Sequence, residues 1–99
     1  MKANFDTMIQ SETPVLVDFF AEWCGPCKAQ SPIFHDLAEE LGERITIIKI
    51  DVDKNPEISQ RYRIQAVPTI MLFKSGEVKF RQAGMMSKPQ LINIVMQNA

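Results

Sequence analysis

The chain has 99 residues, of which 45% are hydrophobic and 23% are charged, and this composition is typical of one globular domain over residues 1–99. Eleven Lys and Arg against twelve Asp and Glu give a net charge of −1 with no basic tail, which argues against nucleic acid and anionic membranes as partners. No apolar run is long enough to cross a membrane and the start of the chain has no signal-peptide pattern, so we predict a cytoplasmic protein, although a processed exported chain would look the same.

The first elements are predicted to be a short helix and a buried strand. The helix runs from Asn4, a candidate N-cap, to about Gln10, with three apolar residues at helical spacing. After Pro14, the run Val15–Phe20 lacks a polar alternate face, which is typical of a strand covered on both sides in a parallel sheet.

Asp18 is the exception in this apolar run. Burial disfavours the charged form of a carboxyl group and should raise its pKa, which would prepare Asp18 to accept and release a proton near neutral pH. The alternative is a paired structural acid, or one solvated at a sheet edge.

The segment Trp23–Lys28 holds the only two cysteines, Cys24 and Cys27. Two intervening residues at a helix start place both sulfurs on one face, within reach of each other. The helix N-terminus stabilises a thiolate, so Cys24 is the predicted nucleophile and the less accessible Cys27 the resolving thiol. Pro26 suits a first helical turn.

A C-x-x-C pair also has three non-catalytic explanations. A structural disulfide would close a very small loop and contribute little stability. A zinc site needs four ligands, and with one histidine, His35, the chain could supply them only by sharing across a dimer. Two inert buried cysteines fit this spacing poorly.

The helix after Cys24 is predicted to end at Gly42 and to bury an apolar stripe made of Ile33, Phe34, Leu37, Ala38 and Leu41. Pro32 should kink it, and His35 falls off the stripe, so it should face solvent. The next strand, 45–52, should be reached by a right-handed parallel crossover. Its odd residue, Lys49, either pairs with Asp18 or extends to the surface.

The second half of the chain predicts a helix, a hairpin and a final helix. Asn55 and Pro56 begin the helix that carries Ile58 and Tyr62. Strands 69–73 and 78–81 are joined by a turn at Ser75-Gly76. Ser87 and Gln90 form a capping box, and the last helix is expected to bury four apolar residues: Leu91, Ile92, Val95 and Met96.

The segment Phe19–Lys28, with Asp18 before it and Val67-Pro68-Thr69 later in the chain, resembles the thioredoxin family. The likeness extends from about Phe5 to the C-terminus. In that family the first thiol of the C-x-x-C motif is known to have a lowered pKa, so the reactivity expected of Cys24 is a general property of the family.

The resemblance implies an α/β thioredoxin fold, with a mixed sheet flanked by helices on both faces. Four strands are expected rather than five, because the chain begins at the family's first helix. It further implies a protein disulfide reductase that works through a mixed disulfide, binds no cofactor, and is recharged by a flavoprotein thioredoxin reductase with NADPH. The expected partners are disulfide-containing client proteins, and the expected state is a monomer.

The resemblance also assigns roles by matching position. Cys24 attacks, Cys27 resolves, Asp18 assists proton transfer at Cys27, and Lys49 tunes Asp18. The residues expected to form the client-binding surface are Trp23, Gly25, Pro26, Val67, Pro68, Thr69 and Gly84, with Pro68 in the cis form. Two alternatives remain open: an exported disulfide oxidase or isomerase, and a non-catalytic binding module of the same fold.

Overall fold

Strand β1, Val15–Phe20, is the centre of the fold, and its first five side chains are buried. The structure is a computed structural model that describes residues 4–99. Within these residues β1 pairs in parallel with β2, Thr46–Asp51, and antiparallel with β3, Thr69–Lys74, which pairs with β4, Glu77–Ala83. The strand order is β2-β1-β3-β4, so the mixed four-stranded sheet expected for the family is confirmed.

Helices cover both faces of this sheet. They are α1 at Phe5–Met8, α2 at Gly25–Leu41, α3 at Pro56–Arg61 and α4 at Lys88–Gln97, with a 3-10 turn at Gly42–Arg44. One core cluster packs residues of α2 and α4 against one face of the sheet, and a second packs α1 against the other. Alternate residues of β1 divide between them, since Leu16 lies in the first cluster and Val15, Val17 and Phe19 in the second. Asp18 therefore points to the face that α2 covers.

The N-terminal elements agree with the sequence pattern except in length. α1 is one turn long rather than extending to Gln10, and Asn4 caps it by accepting a hydrogen bond from the Thr7 N–H at 2.8 Å. α3 begins at Pro56 as predicted, but Asn55 does not cap it with its side chain. The Asn55 amide instead donates to the Asp51 carbonyl at 3.0 Å.

The buried line of α2 is narrower than the predicted stripe. Its buried residues are Cys27, Gln30, Phe34, Leu37 and Leu41, at alternating steps of three and four. The prediction of a buried Ala38 is wrong, since this residue is exposed, and Ile33 is half-buried. A helix resting on a sheet along a single line buries fewer positions than a broad stripe. Pro32 lies inside the helix, and the kink it should cause stays a prediction.

The C-terminal helix confirms the capping box and corrects one core residue. The Ser87 hydroxyl accepts from the Gln90 N–H at 3.3 Å, and the Gln90 side chain accepts from the Ser87 N–H at 2.9 Å. Leu91 and Val95 are buried and Ile92 is half-buried, but Met96 is 39% exposed, so its prediction as a core residue is wrong. Met96 lies about 100° further round the helix than Val95, beyond the face that meets the sheet.

Replacing Ser87 by alanine is expected to lower the free energy of unfolding by about 1 kcal/mol, because the N-cap acceptor is lost. Urea unfolding followed by circular dichroism measures this change. Asn93→Ala is the matched control, since Asn93 is exposed in the middle of the same helix and its replacement should not destabilise. Equal stability of Ser87→Ala and the wild type would contradict the role of this cap.

Candidate active site

Cys24 and Cys27 are joined by a disulfide at the start of α2, with their Cα atoms 5.3 Å apart. Cys24 occupies the N-cap position, and its sulfur accepts a hydrogen bond from the Cys27 N–H at 3.1 Å. The sulfur thus takes the place that an oxygen usually fills at a helix start. The positive end of the helix points at Cys24 Sγ, and this stabilises a thiolate there once the disulfide is reduced.

The local sequence explains this geometry. Pro26 lies in the first turn, where its missing N–H costs no helical hydrogen bond, and no acidic residue in that turn opposes a thiolate. Gly25 and Pro26 are exposed, so the chain on the outer side of the cysteines is open to a partner.

The expected difference in accessibility between the two cysteines is absent in this oxidised state. Cys24 is 3% exposed and Cys27 is 5% exposed. Both pack in a small apolar cluster with Ala21, against which Phe20, Val52 and Val67 lie. The sequence spacing could not show this cover, because Val52 and Val67 come from distant parts of the chain.

Asp18 is fully buried, and neither of its carboxylate oxygens has a hydrogen-bond partner among the described residues. Burial raises the pKa of Asp18 from 3.8 to about 6, while the positive charge of Lys49 acts in the opposite direction. The prediction of a buried carboxyl group is confirmed, and the direction of the pKa shift agrees with that burial. The alternatives of a paired or solvated acid do not hold.

Lys49 is the register neighbour of Asp18 on the adjacent strand, yet the two side chains form no ion pair. The Lys49 ammonium group donates to the Ser31 hydroxyl at 3.1 Å and lies 4.9 Å from the centre of the Phe20 ring. Of the two predicted arrangements, the structure has the one in which Lys49 extends to the surface. Its charge acts on Asp18 through space.

Replacing Lys49 by glutamine is expected to raise the pKa of Asp18 further above its value of about 6, because the nearby positive charge that lowers it is removed. An NMR titration of the Asp18 carboxyl carbon measures the shift. Lys28→Gln, which removes an exposed lysine next to Cys27, is the control for a general change in charge. A lower Asp18 pKa in Lys49→Gln would contradict this account.

A cavity of about 360 Å³ reaches Cys27 from the surface beside α2. It is lined by Phe20, Ala21, Glu22, Cys27, Lys28, Ser31 and Lys49. The cavity therefore lies beside the resolving cysteine and next to Lys49, the strand neighbour of Asp18.

A second loop faces the redox pair. The Val67–Pro68 peptide bond is cis, as predicted, and the Val67 carbonyl oxygen lies 3.6 Å from Cys24 Sγ. The next residue, Thr69, is 2% exposed and its hydroxyl donates to the Ala66 carbonyl at 2.6 Å. Its side chain therefore fixes the shape of this loop from the protein interior.

Gly84 contacts the same loop from the end of β4. The Gly84 N–H donates to the Pro68 carbonyl at 2.8 Å, and Gly84 is exposed with φ of 96°, a conformation that favours glycine.

Trp23 extends from the surface next to Cys24 and is 71% exposed. Its indole N–H donates to the Asp53 carboxylate at 2.9 Å, and the Asp53 N–H donates to the Asp51 side chain at 2.9 Å. The sequence analysis did not identify Asp53 as a residue that holds Trp23. The one indication in the sequence was its position two residues after Asp51, the acidic end of β2.

His35 is exposed and forms a surface pair with Glu39 at 3.3 Å, which agrees with its prediction as a solvent-facing residue. Among residues 4–99, no group of three or more His, Cys, Asp or Glu side chains is placed to hold a metal ion. None of the helices in this part of the chain is long and apolar enough to span a membrane.

A disulfide that can open at a helix N-terminus, beside an exposed tryptophan and a backbone carbonyl, is the arrangement of a thiol-disulfide oxidoreductase. The family model described as Thioredoxin matches residues 1–97. The thioredoxin of Rickettsia bellii is 41% identical over 97 residues, which cover 98% of this chain and 92% of that protein. The thioredoxin of Acidithiobacillus ferridurans is 44% identical and covers 89% of this chain and 82% of that protein.

Solved structures with a similar fold support the same family. The crystal structure of chloroplastic thioredoxin z has a TM-score of 0.81 at 39% identity, covering 88% of this chain and 79% of that one. A malarial protein has a TM-score of 0.82 at 31% identity, covering 87% of this chain and 97% of that one. The chain belongs to the thioredoxin family. It is a protein disulfide reductase that carries its chemistry on the Cys24–Cys27 pair.

Proposed function

We propose that this protein carries electrons from NADPH, by way of a flavoprotein thioredoxin reductase, to disulfides of client proteins in the cytoplasm. The observation that carries the proposal is the Cys24–Cys27 disulfide at the start of α2, with Cys24 Sγ beside the Val67 carbonyl. We further propose that the active unit is a monomer, since one chain carries both cysteines. It needs no metal or organic cofactor, because the reduced Cys24–Cys27 dithiol itself holds the two electrons and becomes the disulfide when it gives them up.

In the first step the Cys24 thiolate attacks one sulfur of the client disulfide. The client S–S bond breaks, a mixed disulfide forms between Cys24 and the client, and the departing client sulfur takes up a proton. Helix α2 supports this role because its first turn donates a hydrogen bond to Cys24 Sγ, and the same interaction would stabilise a thiolate.

In the second step the Cys27 thiol loses its proton and attacks Cys24 Sγ. The mixed disulfide breaks, the second client sulfur leaves and is protonated, and the Cys24–Cys27 bond forms. Asp18 suits the role of proton acceptor because its carboxylate has no hydrogen-bond partner of its own in the described chain. With a pKa of about 6 it is ionised at neutral pH, yet close enough to neutrality to accept a proton. Lys49 would tune this pKa.

The client would lie across the exposed surface around the redox pair. Exposed groups there include Trp23, Gly25, Pro26 and Gly84. The backbone of Val67, whose carbonyl oxygen lies beside Cys24 Sγ, is the group we expect an extended client segment to pair with, as an added strand. Thr69 would contribute by fixing the shape of this loop.

The proposed electron path is tested by NADPH consumption in a mixture of a thioredoxin reductase, this protein and a protein with an exposed disulfide. Continued consumption is expected only when all three are present, since without the client the reductase can use at most one NADPH for each Cys24–Cys27 disulfide. If NADPH is not consumed, although the chemically reduced protein still reduces the client, the proposed reductase partner is wrong and the reductase function stands.

The cytoplasmic location is supported by chemistry, since a dithiol that donates electrons works where thiols are kept reduced. A relative 45% identical to this chain, named chloroplastic thioredoxin Y from Oryza sativa, is assigned by that name to an organelle, and this chain spans 54% of its length. Fractionation of the source cells with an antibody to this protein tests the location.

A further inference from the structure

Gln30 is a fully buried polar side chain on α2, three residues after Cys27. Its amide makes two hydrogen bonds to the backbone of one residue, Met86. The Gln30 Nε2 group donates to the Met86 carbonyl at 2.9 Å, and Gln30 Oε1 accepts from the Met86 N–H at 2.8 Å. Turning the amide round would place donor against donor and acceptor against acceptor, so the paired contact fixes its orientation.

Met86 ends the segment Gly84–Met86, which connects β4 to α4 and belongs to neither. Since neither a sheet ladder nor a helix turn supports Met86, the Gln30 amide supplies a partner for both of its backbone polar groups. The Met86 side chain is buried in the core, while Met85 is 44% exposed. Gln30 therefore holds the inner end of a segment whose outer side faces solvent.

The same segment is tied to the redox site at its other end. The Gly84 N–H donates to the Pro68 carbonyl at 2.8 Å, and the preceding Val67 carbonyl lies 3.6 Å from Cys24 Sγ. These contacts connect the two ends of the segment to the redox site. Gln30 joins its Met86 end to α2, which begins at Cys24, and the Pro68 loop joins its Gly84 end to Cys24 Sγ. A change at Gln30 can therefore shift the Gly84–Met86 segment without any change in the two cysteines.

We propose that Gln30 is a positioning residue for client binding, whose amide holds the Gly84–Met86 segment where an extended protein segment around a disulfide can lie across it. This inference rests on the proposed client surface. It predicts that Gln30 matters for protein disulfides and hardly at all for small ones, because a small disulfide reaches Cys24 without covering this segment.

The test is Gln30→Met, which keeps nearly the length of the side chain and removes both hydrogen bonds. We expect KM for a protein client to rise about five- to tenfold with kcat within about twofold, since each bond has a modest net value. The rate with a small aromatic disulfide should stay within about twofold of the wild type. Hydrogen exchange at the Met86 amide should become faster in the variant.

Ser59→Ala is the matched control, because Ser59 is buried on α3 and its hydroxyl donates to the Asn55 carbonyl at 2.9 Å. It removes a buried hydrogen bond away from the redox pair and should leave both KM values unchanged. Gln30→Leu, a second apolar replacement suited to a buried position, serves if Gln30→Met does not fold.

A higher client KM with an unchanged small-disulfide rate would support the role of Gln30. Unchanged kinetics in a folded variant would overturn it, and so would an equal loss with both substrates. A wild-type protein that reduces no protein disulfide would instead contradict the reductase function, and that outcome is seen before any variant is made.

Discussion

A Cys24→Ser variant is expected to lose client disulfide reduction by at least about 10³-fold, because the hydroxyl that replaces the thiolate is a far weaker nucleophile at neutral pH. The fold should survive, since serine is a favourable N-cap residue at the position that Cys24 occupies before α2. The measurement is the initial rate of client reduction with chemically reduced protein.

The partner variant Cys27→Ser is expected to behave differently. Cys24 can still attack, but no second thiol is present to release the client, because the chain has only two cysteines. A covalent complex of about one client per protein should accumulate, resist denaturation, and separate on addition of dithiothreitol.

The two variants control each other. Trapping by Cys24→Ser instead of Cys27→Ser would reverse the assigned roles of the two thiols. Partner binding that is unchanged in both variants, with no trapped complex, would favour the alternative of a non-catalytic binding module.

An Asp18→Asn variant is expected to be slower and more stable than the wild type. The second step should slow by about 10²-fold at neutral pH, because the proposed proton acceptor for Cys27 is lost. The loss should shrink as the pH rises, since Cys27 then ionises without help. The rate at which Cys27 releases the client from the Cys24–client mixed disulfide, measured across pH by rapid mixing, tests this expectation.

The stability effect follows from the raised pKa of Asp18. Below its unfolded value of 3.8 the carboxyl group is protonated in both the folded and the unfolded chain, so burial of its charge costs nothing. As the pH rises from 3.8 to about 6, the unfolded chain ionises first and the folded state loses stability relative to it. Above this window the full cost remains, at most about 3 kcal/mol, because one pKa unit corresponds to about 1.4 kcal/mol.

Asp18→Asn should therefore raise the free energy of unfolding at neutral pH by up to about 3 kcal/mol and should match the wild type below about pH 4. Urea unfolding at a series of pH values measures the difference. Asp36→Asn is the matched control, because Asp36 is an exposed acid on α2. A stability difference between Asp18→Asn and the wild type that does not vary with pH would contradict the assigned pKa.

Much of the fold could be predicted because local signals and tertiary packing agree. The apolar run of β1, the C-x-x-C turn at the start of α2 and the capping box of α4 each specify their own conformation. The errors lie where a helix meets the sheet. Ala38 and Met96 match a helical apolar pattern, but only the packed structure shows how narrow the buried line on each helix is.

More of the site's chemistry than of its geometry could be predicted from the sequence. The two cysteines and the buried Asp18 follow from residue type and spacing. The direction of the Lys49 side chain depends on a hydroxyl of Ser31 and the ring of Phe20, which meet it only in the folded protein. The bonds from Gln30 to Met86 join residues 56 positions apart, and a single glutamine in a helix gives no sign of them in the sequence.

The most direct test of the reductase function is the reduction potential of the Cys24–Cys27 pair, found by equilibrating the protein in thiol redox buffers and measuring the fraction of alkylated cysteines. Our account predicts a value near the one known for thioredoxin, about −270 mV. A value of about −180 mV, as in protein disulfide isomerase, would mean that the Cys24–Cys27 disulfide is roughly 4 kcal/mol easier to reduce than that of thioredoxin. That result would contradict a disulfide reductase and favour an exported oxidase or isomerase.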